Sequence, residues 1–469
     1  MTNFHFIRKI LRHIIPGASR LRRVEMDKKF VNVLILGFGF MFLFTSFQTM
    51  GNIEKTVLDS IHYDDPSFTG DGYTSLAIIY AVFALIGWLA PSVLAYTGPR
   101  GAMLIGGSTY CLFMVSFLWP RNWLLYLASA ILGLGASITW TGQGTFLSRC
   151  SDTSTISRNS GVFWAMLQAS MFFGNLFVYY QFQDKDHIDQ STRTLVFAVL
   201  IAVACLGLIF LASLRSIQDI RPVTDSEIEE AKSGIENALI AFKQAIRLFI
   251  TRDMLILSVA FFYTGLELSF YSGVYGPSIG FTLAISETPK QIVGLAGICI
   301  GAGEVIGGVG FGLLGSKTNR FGRDPIVITG FIIHVIAFFL IFINLPNSAP
   351  FGDTHDIAYL NPPKPWIALL CAFMLGFGDA CYNTQIYSML GGVYAKHSIP
   401  AFALFKFVQS LAAAAGFFYS SHLGLRAQMG ILIAFGTIGT ACFCIVEWKA
   451  KRREKLGKST DSKLSCDNS

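Results

Sequence analysis

The chain has 469 residues, of which 53% are hydrophobic and 14% charged, with a mean hydropathy of +0.53. No ordinary soluble protein is so apolar over this length, which makes the lipid bilayer the main partner and gives no ground for a nucleic-acid ligand. The apolar residues come in blocks of about 20, the length that crosses a bilayer core as helix, and they lack the period-2 alternation of a barrel wall. Only helices and closed barrels satisfy their backbone in lipid, so the reading is an all-α, multi-pass membrane protein.

Residues 1–30 form a basic tail with no acid before Glu25. It reads as a cytoplasmic anchor on anionic lipid, with an Arg-rich mitochondrial presequence as the other reading. No apolar stretch with a cleavage site precedes the first span, so no cleaved secretory signal is expected. An N-terminal half, 31–214, follows. Its spans lie near Val31–Met50, Tyr73–Tyr96, Gly101–Trp119, Trp123–Phe146, Gly161–Gln181 and Thr194–Leu214. Residues 215–252 form a polar linker. Its Asp225/Ser226 cap signal, with Ile235, Leu239, Phe242, Ile246 and Phe249 at helical spacing, predicts a cytoplasmic amphipathic helix. The C-terminal half, 253–448, carries spans near Asp253–Gly273, Lys290–Gly315, Pro325–Asn344, Trp366–Leu390, Pro400–His422 and Gln428–Trp448, and 449–469 is a second basic tail. With both termini cytoplasmic, about 28 of the Lys and Arg fall inside and about 7 outside, a strong orienting bias. Plasma membrane and endomembrane stay open. Most of the nine cysteines fall in apolar blocks, where thiols behave as small hydrophobes.

The halves look related. Gly133, Gly135 and Thr141 in the fourth span align without a gap with Gly376, Gly378 and Thr384 in the tenth, and Gln168–Ser170 in the fifth falls near Gln409–Ser410 in the eleventh. Two six-helix halves joined by a cytoplasmic loop are the plan of the major facilitator superfamily. Between the eighth and ninth spans lies "GSKTNRFGRDP", which resembles that superfamily's G-x-x-x-D-[RK]-x-G-[RK] signature. Gly315, Arg320, Gly322 and Arg323 match, and Asn319 stands where the family has Asp. The copy expected between the second and third spans is reduced to "YTGPRG", Tyr96 to Gly101.

Longer strings carry a narrower likeness: "FQTMGN", "GYTSLAIIY", "SRNSGVFWAMLQASMFFGN", "YTGLELSFYSGVYG", "GFGDACYNTQ" and "FALFKFVQS". They resemble the Unc-ninety-three-like branch of the superfamily, nearest to its orphan "major facilitator domain-containing" members. The resemblance implies a twelve-helix bundle of two pseudo-symmetric halves. It leaves two activities open. One is transport of a small solute or ion. The other is regulation or escort of a membrane-protein partner, since one relative is a potassium-channel subunit and another escorts Toll-like receptors.

The ionisable residues within spans sort unevenly. None is placed well inside the first six. The second half holds Glu267, Glu304, His334, Asp379 and Lys406, and such residues are functional candidates by default. By helical rise, Glu304 and Asp379 fall near the midplane and Lys406 only about 9 Å from the cytoplasmic side. Asp379, on the adjacent span, is the first choice of ion-pair partner for Lys406. An acid left without a cation at this depth is stable mainly in its neutral form. That form suits a proton-coupled carrier and equally a static buried carboxylic acid. Gln48, Gln143, Gln168, Asn175, Asn383, Gln385 and Gln409 are expected either to line a polar cavity or to glue helices together.

The glycines of "GLAGICIGAGEVIGGVGFGLLG" lack the strand context of a dinucleotide fingerprint and read as close helix packing. Asp353, His355 and Asp356 share a Pro-rich loop and read as solvated side chains rather than a metal site. No nucleophile–base constellation or phosphate loop is present, so the sequence is not read as an enzyme and implies no cofactor.

Overall fold

The computed structural model describes residues 28–151, 155–185, 187–215, 234–394 and 397–466. The N-terminal basic tail and the first part of the linker lie outside them. In chain order the helices are α1 Lys28–Asp64, α2 Gly72–Ile86, α3 Ala90–Ser116, α4 Asn122–Arg149, α5 Ile156–Gln168, α6 Ser170–Gln181 and α7 Gln190–Ala212. The linker helix α8 Gly234–Phe249 follows, then α9 Arg252–Ser269, α10 Tyr275–Phe281, α11 Pro289–Phe321, α12 Asp324–Asn344, α13 Pro365–Gly392, α14 Ser398–Ser420 and α15 Leu425–Cys466. Ten of the described helical segments are long and apolar enough to cross a membrane; α2 is a shorter apolar helix.

Local chemistry sets the boundaries. Asp71 caps α2 by accepting from the Thr74 backbone N–H at 2.8 Å, and Asp189 caps α7 in the same way. Between the second and third spans, Gly98 takes φ +66° and Pro99 follows it. The reduced "YTGPRG" copy is therefore a one-residue turn, a left-handed conformation that glycine adopts without a Cβ clash. In the seventh span the α-helix gives way to a π turn, Phe270–Val274, before α10 resumes it. Such turns recur at functional sites because they re-aim side chains.

The first six spans pack on one another, as do the last six. The two groups meet along two seams, α2 against α14 and α6 against α11. The matched glycines occupy equivalent places. A Cβ on Gly133 would strike the Ile79 carbonyl of α2, and one on Gly376 the Ile300 carbonyl of α11. Gly135 abuts Thr109 of α3, and Gly378 abuts His334 of α12. The fourth span thus uses its glycines against the second and third as the tenth uses its own against the eighth and ninth.

The first span is longer than hydropathy indicates. It continues past Met50 to Asp64, so Glu54 lies inside a helix and is fully buried. The expectation that the first six spans hold no buried charge is corrected by this residue. Hydropathy missed it because Gly51–Glu54–Lys55 lowers the local mean while the surrounding helices still bury the turn.

In the loop resembling the superfamily signature, Gly322 has φ +101°, and a Cβ there would collide with Lys451 Nζ. Arg323 donates from Nη1 to Glu447 Oε2 at 2.9 Å and from Nε to Ser388 Oγ at 2.9 Å. The partner acid lies on α15 of the same half rather than on the neighbouring half. α11 continues as helix through Gly315, Asn319 and Arg320, whose side chains lie outside the described residues.

Candidate functional site

His334 and Glu267 form the most buried ionisable pair. His334 Nε2 is 3.0 Å from Glu267 Oε1 and 3.1 Å from the Leu375 carbonyl oxygen. A carbonyl only accepts, so Nε2 carries the hydrogen, and a neutral ring receives the Tyr263 hydroxyl on Nδ1 at 2.7 Å. The ring hydrogen serves the carbonyl, and neither Glu267 oxygen has a directed hydrogen bond among the described residues. The contact with the carboxyl is therefore electrostatic. Gly378 is required here because His334 lies where its Cβ would be.

Glu304 of α11 sits on the seam between the halves. It accepts from Gln168 Nε2, at the end of α5, and Tyr271 of the π turn faces it. Asp379 of α13 accepts from Asn383 Nδ2 at 2.7 Å, one turn along its own helix. Glu267, Glu304 and Asp379 are near enough for their charges to interact.

Lys406 does not pair with Asp379 directly. Its Nζ donates to Gln409 Oε1 at 2.9 Å and lies over the rings of Phe405 and Tyr387, 4.9 and 5.6 Å from their centroids. Gln409 donates in turn to Thr264 Oγ1 at 3.3 Å and to Asn383 Oδ1 at 3.5 Å. Two amides thus stand between cation and acid. The expected ion pair is replaced by this relay, in which Gln409 takes the ammonium and Asn383 takes the carboxyl.

Several of the predicted amides make hydrogen bonds between helices. Gln168, Asn383 and Gln409 belong to the charge network. Gln48 accepts from Ser170 Oγ within the first half, and Gln385 donates to Thr384 Oγ1 at 3.0 Å. Asn52 joins the halves: it donates from Nδ2 to Asn175 Oδ1 of its own half at 2.8 Å and to the Val293 carbonyl of the other half at 3.1 Å. Gln143 is buried in α4, apart from these networks.

The face opposite the chain termini is sealed. Tyr73 donates its hydroxyl to the Pro350 carbonyl at 3.0 Å, and Ser421 donates to Asp71 Oδ2 at 2.7 Å. Lys55 pairs with Asp59 at 2.7 Å and with Asp71 at 3.3 Å, while Lys290 pairs with Asp353. Burial pushes Asp71 up, but the Lys55 ammonium and hydrogen bonds from Ser421 and Thr74 outweigh it and hold its carboxyl below the usual value. Below this seal Glu54 faces Ser75, whose hydroxyl is shared with Ser129 at 2.9 Å, and neither carboxyl oxygen has a hydrogen-bond partner among the described residues. Toward the termini the seam is aromatic. Trp140 stacks on Trp164 at 5.8 Å, and Trp164 meets Tyr387 of the other half at 5.7 Å.

A family model described as "Ion channel regulatory protein UNC-93" matches residues 68–444. The chain is 45% identical over 446 residues to the UNC93-like protein MFSD11 of Xenopus tropicalis, covering 92% of this chain and 98% of that one. It is 27% identical to UNC93-like protein 3 of Arabidopsis thaliana, covering 90% and 87%. Among solved structures it resembles a peptide transporter POT in complex with sulfate, at TM-score 0.62 and 14% identity, covering 90% of this chain and 94% of that one. That likeness speaks for the fold alone. The helices, their pairing across the seams and these matches agree, and the chain belongs to the UNC-93 family as a multi-pass membrane protein with the major facilitator superfamily fold.

Proposed function

We propose that the protein is a carrier that moves a small solute or ion by alternating access, with proton coupling through the midplane acids. The observation that carries this reading is Glu304. It is a buried carboxyl bonded across the seam to Gln168, beneath a sealed face, with a π turn aiming Tyr271 at it. A carboxyl in that place links its own protonation to the fit between the halves, because a neutral and a charged acid differ in what they ask of the opposing amide. With both termini cytoplasmic, the sealed face is the outer one, and this is the inward-facing side of the cycle.

The test is purified protein reconstituted alone in liposomes with an internal pH-sensitive dye and a panel of solutes. Solute-dependent proton flux is expected, falling at least tenfold in Glu304→Gln. The family's description, ion channel regulatory protein, favours a second reading in which the protein regulates or escorts another membrane protein. No flux with any solute, together with co-purification of one channel, would decide for that reading.

A further inference from the structure

We infer that Lys406 and the aromatic side chains around it form a binding site for an organic carboxylate with a flat apolar body; as a transport site this rests on the carrier reading above. The ammonium has three hydrogens to donate. One goes to Gln409 Oε1, and among the described residues no carboxylate comes within ion-pair range. Each acid nearby lies against another side chain: Glu267 beside His334, Asp379 bonded to Asn383, and Glu304 bonded to Gln168. A partly buried cation inside a membrane helix is therefore held by one neutral amide and two ring faces. Ring faces offset only part of the lost hydration of an ammonium, and an anion supplies the remainder through charge-assisted hydrogen bonds.

The sign of the ligand follows from who already occupies the rings. Lys406 itself lies over Tyr387 and Phe405, so a second ammonium would meet a like charge. The shape follows from the seam. Tyr387 lies tilted against Phe402 at 5.4 Å and meets Trp164, which stacks on Trp140. Trp140, Trp164, Tyr387 and Phe402 pack on the edge of the core and, like Lys406, are all partly exposed, so none of them is closed off within it. The rings offer π faces from both halves to an apolar body beside the cation.

Titration calorimetry of the purified full chain with benzoate, benzamide and benzylamine tests the assignment without a mutation. Benzoate is expected to bind, benzamide at least tenfold more weakly, and benzylamine not at all. Lys406→Met is expected to weaken benzoate at least tenfold and leave benzamide unchanged, with Lys406→Arg within about threefold of the parent. Tyr387→Leu is expected to weaken both probes alike, which keeps the test sound should Lys406→Met fold poorly. Tighter binding of benzylamine than benzoate, or unchanged benzoate binding in Lys406→Met, overturns the inference. So does displacement of benzoate by phosphatidylglycerol added to the micelles, which would give the site to a lipid headgroup. Proton flux without benzoate binding defeats this assignment and leaves the carrier standing. Benzoate binding without flux does the reverse.

Discussion

His334 shows how one residue joins three helices. Its ring receives Tyr263 from α9, donates to the Leu375 carbonyl of α13 and lies beside Glu267. Without the ring the Tyr263 hydroxyl and the Leu375 carbonyl each lose a buried hydrogen-bond partner, a loss of about 1–3 kcal/mol per group. His334→Ala is expected to lower the thermal stability of the detergent-purified protein by that order, and adding Glu267→Leu to recover part of it. Simply additive losses would show that the two side chains do not act as a pair. The presence of Glu267, His334, Asp379 and Lys406 in the second half was legible in the sequence, because ionisable residues stand out in apolar spans. Their pairing was not. Lys406 and Asp379 sit on neighbouring spans, but Gln409 and Asn383 stand between them. Glu54 was missed for another reason: a polar turn within a long helix is indistinguishable by hydropathy from a loop.

At the scale of the element, glycine decides how closely the halves approach. A Cβ on Gly276 of α10 would fall 2.1 Å from Asn52 Oδ1 of α1, and one on Gly297 of α11 would fall 2.3 Å from Asn175 of α6. Both positions lie where the asparagines tie the halves together. Gly276→Val is expected to pry this seam open and shift the population away from the sealed state. A cysteine at Thr49, buried in the parent, should then react with a membrane-impermeant maleimide at least several-fold faster than in the Gly276 background. Unchanged labelling would mean that the contact is not part of the seal. The repeat was readable in advance at this scale. Gly133/Gly376 and Gly135/Gly378 keep the same neighbours in both halves, because close helix packing constrains residue size, and size is visible in a sequence.

For the whole molecule, the sealed face couples the halves through charge. Asp71 caps α2, pairs with Lys55 and accepts from Ser421 of the opposite half. Its lowered native value means that its contribution is complete above the ordinary carboxylate value of 3.8 and is lost as the pH falls through the native value. Between pH 5.5 and 8, Asp71→Asn is expected to be less stable than the parent by a constant amount of about 1–2 kcal/mol. Thermal unfolding should show the two converging only in stronger acid. A gap that varied across the neutral range would assign this latch a proton-sensing role, which the carrier proposed above gives to the buried acids instead.

The sequence by itself determined the membrane class, the number and rough place of the spans, the internal repeat and the family. The class, the spans and the repeat rest on composition, length or residue size, which are properties of a segment taken alone, and the family rests on the resemblance of the longer strings. Tertiary structure decided which acid faces which cation, that the first span runs on to bury Glu54, that Arg323 turns to Glu447 of its own half, and which face is sealed. Those outcomes depend on helix rotation and axial offset. A shift of one residue turns a side chain by about 100° and moves it about 1.5 Å, so partners change although the hydropathy of the span does not.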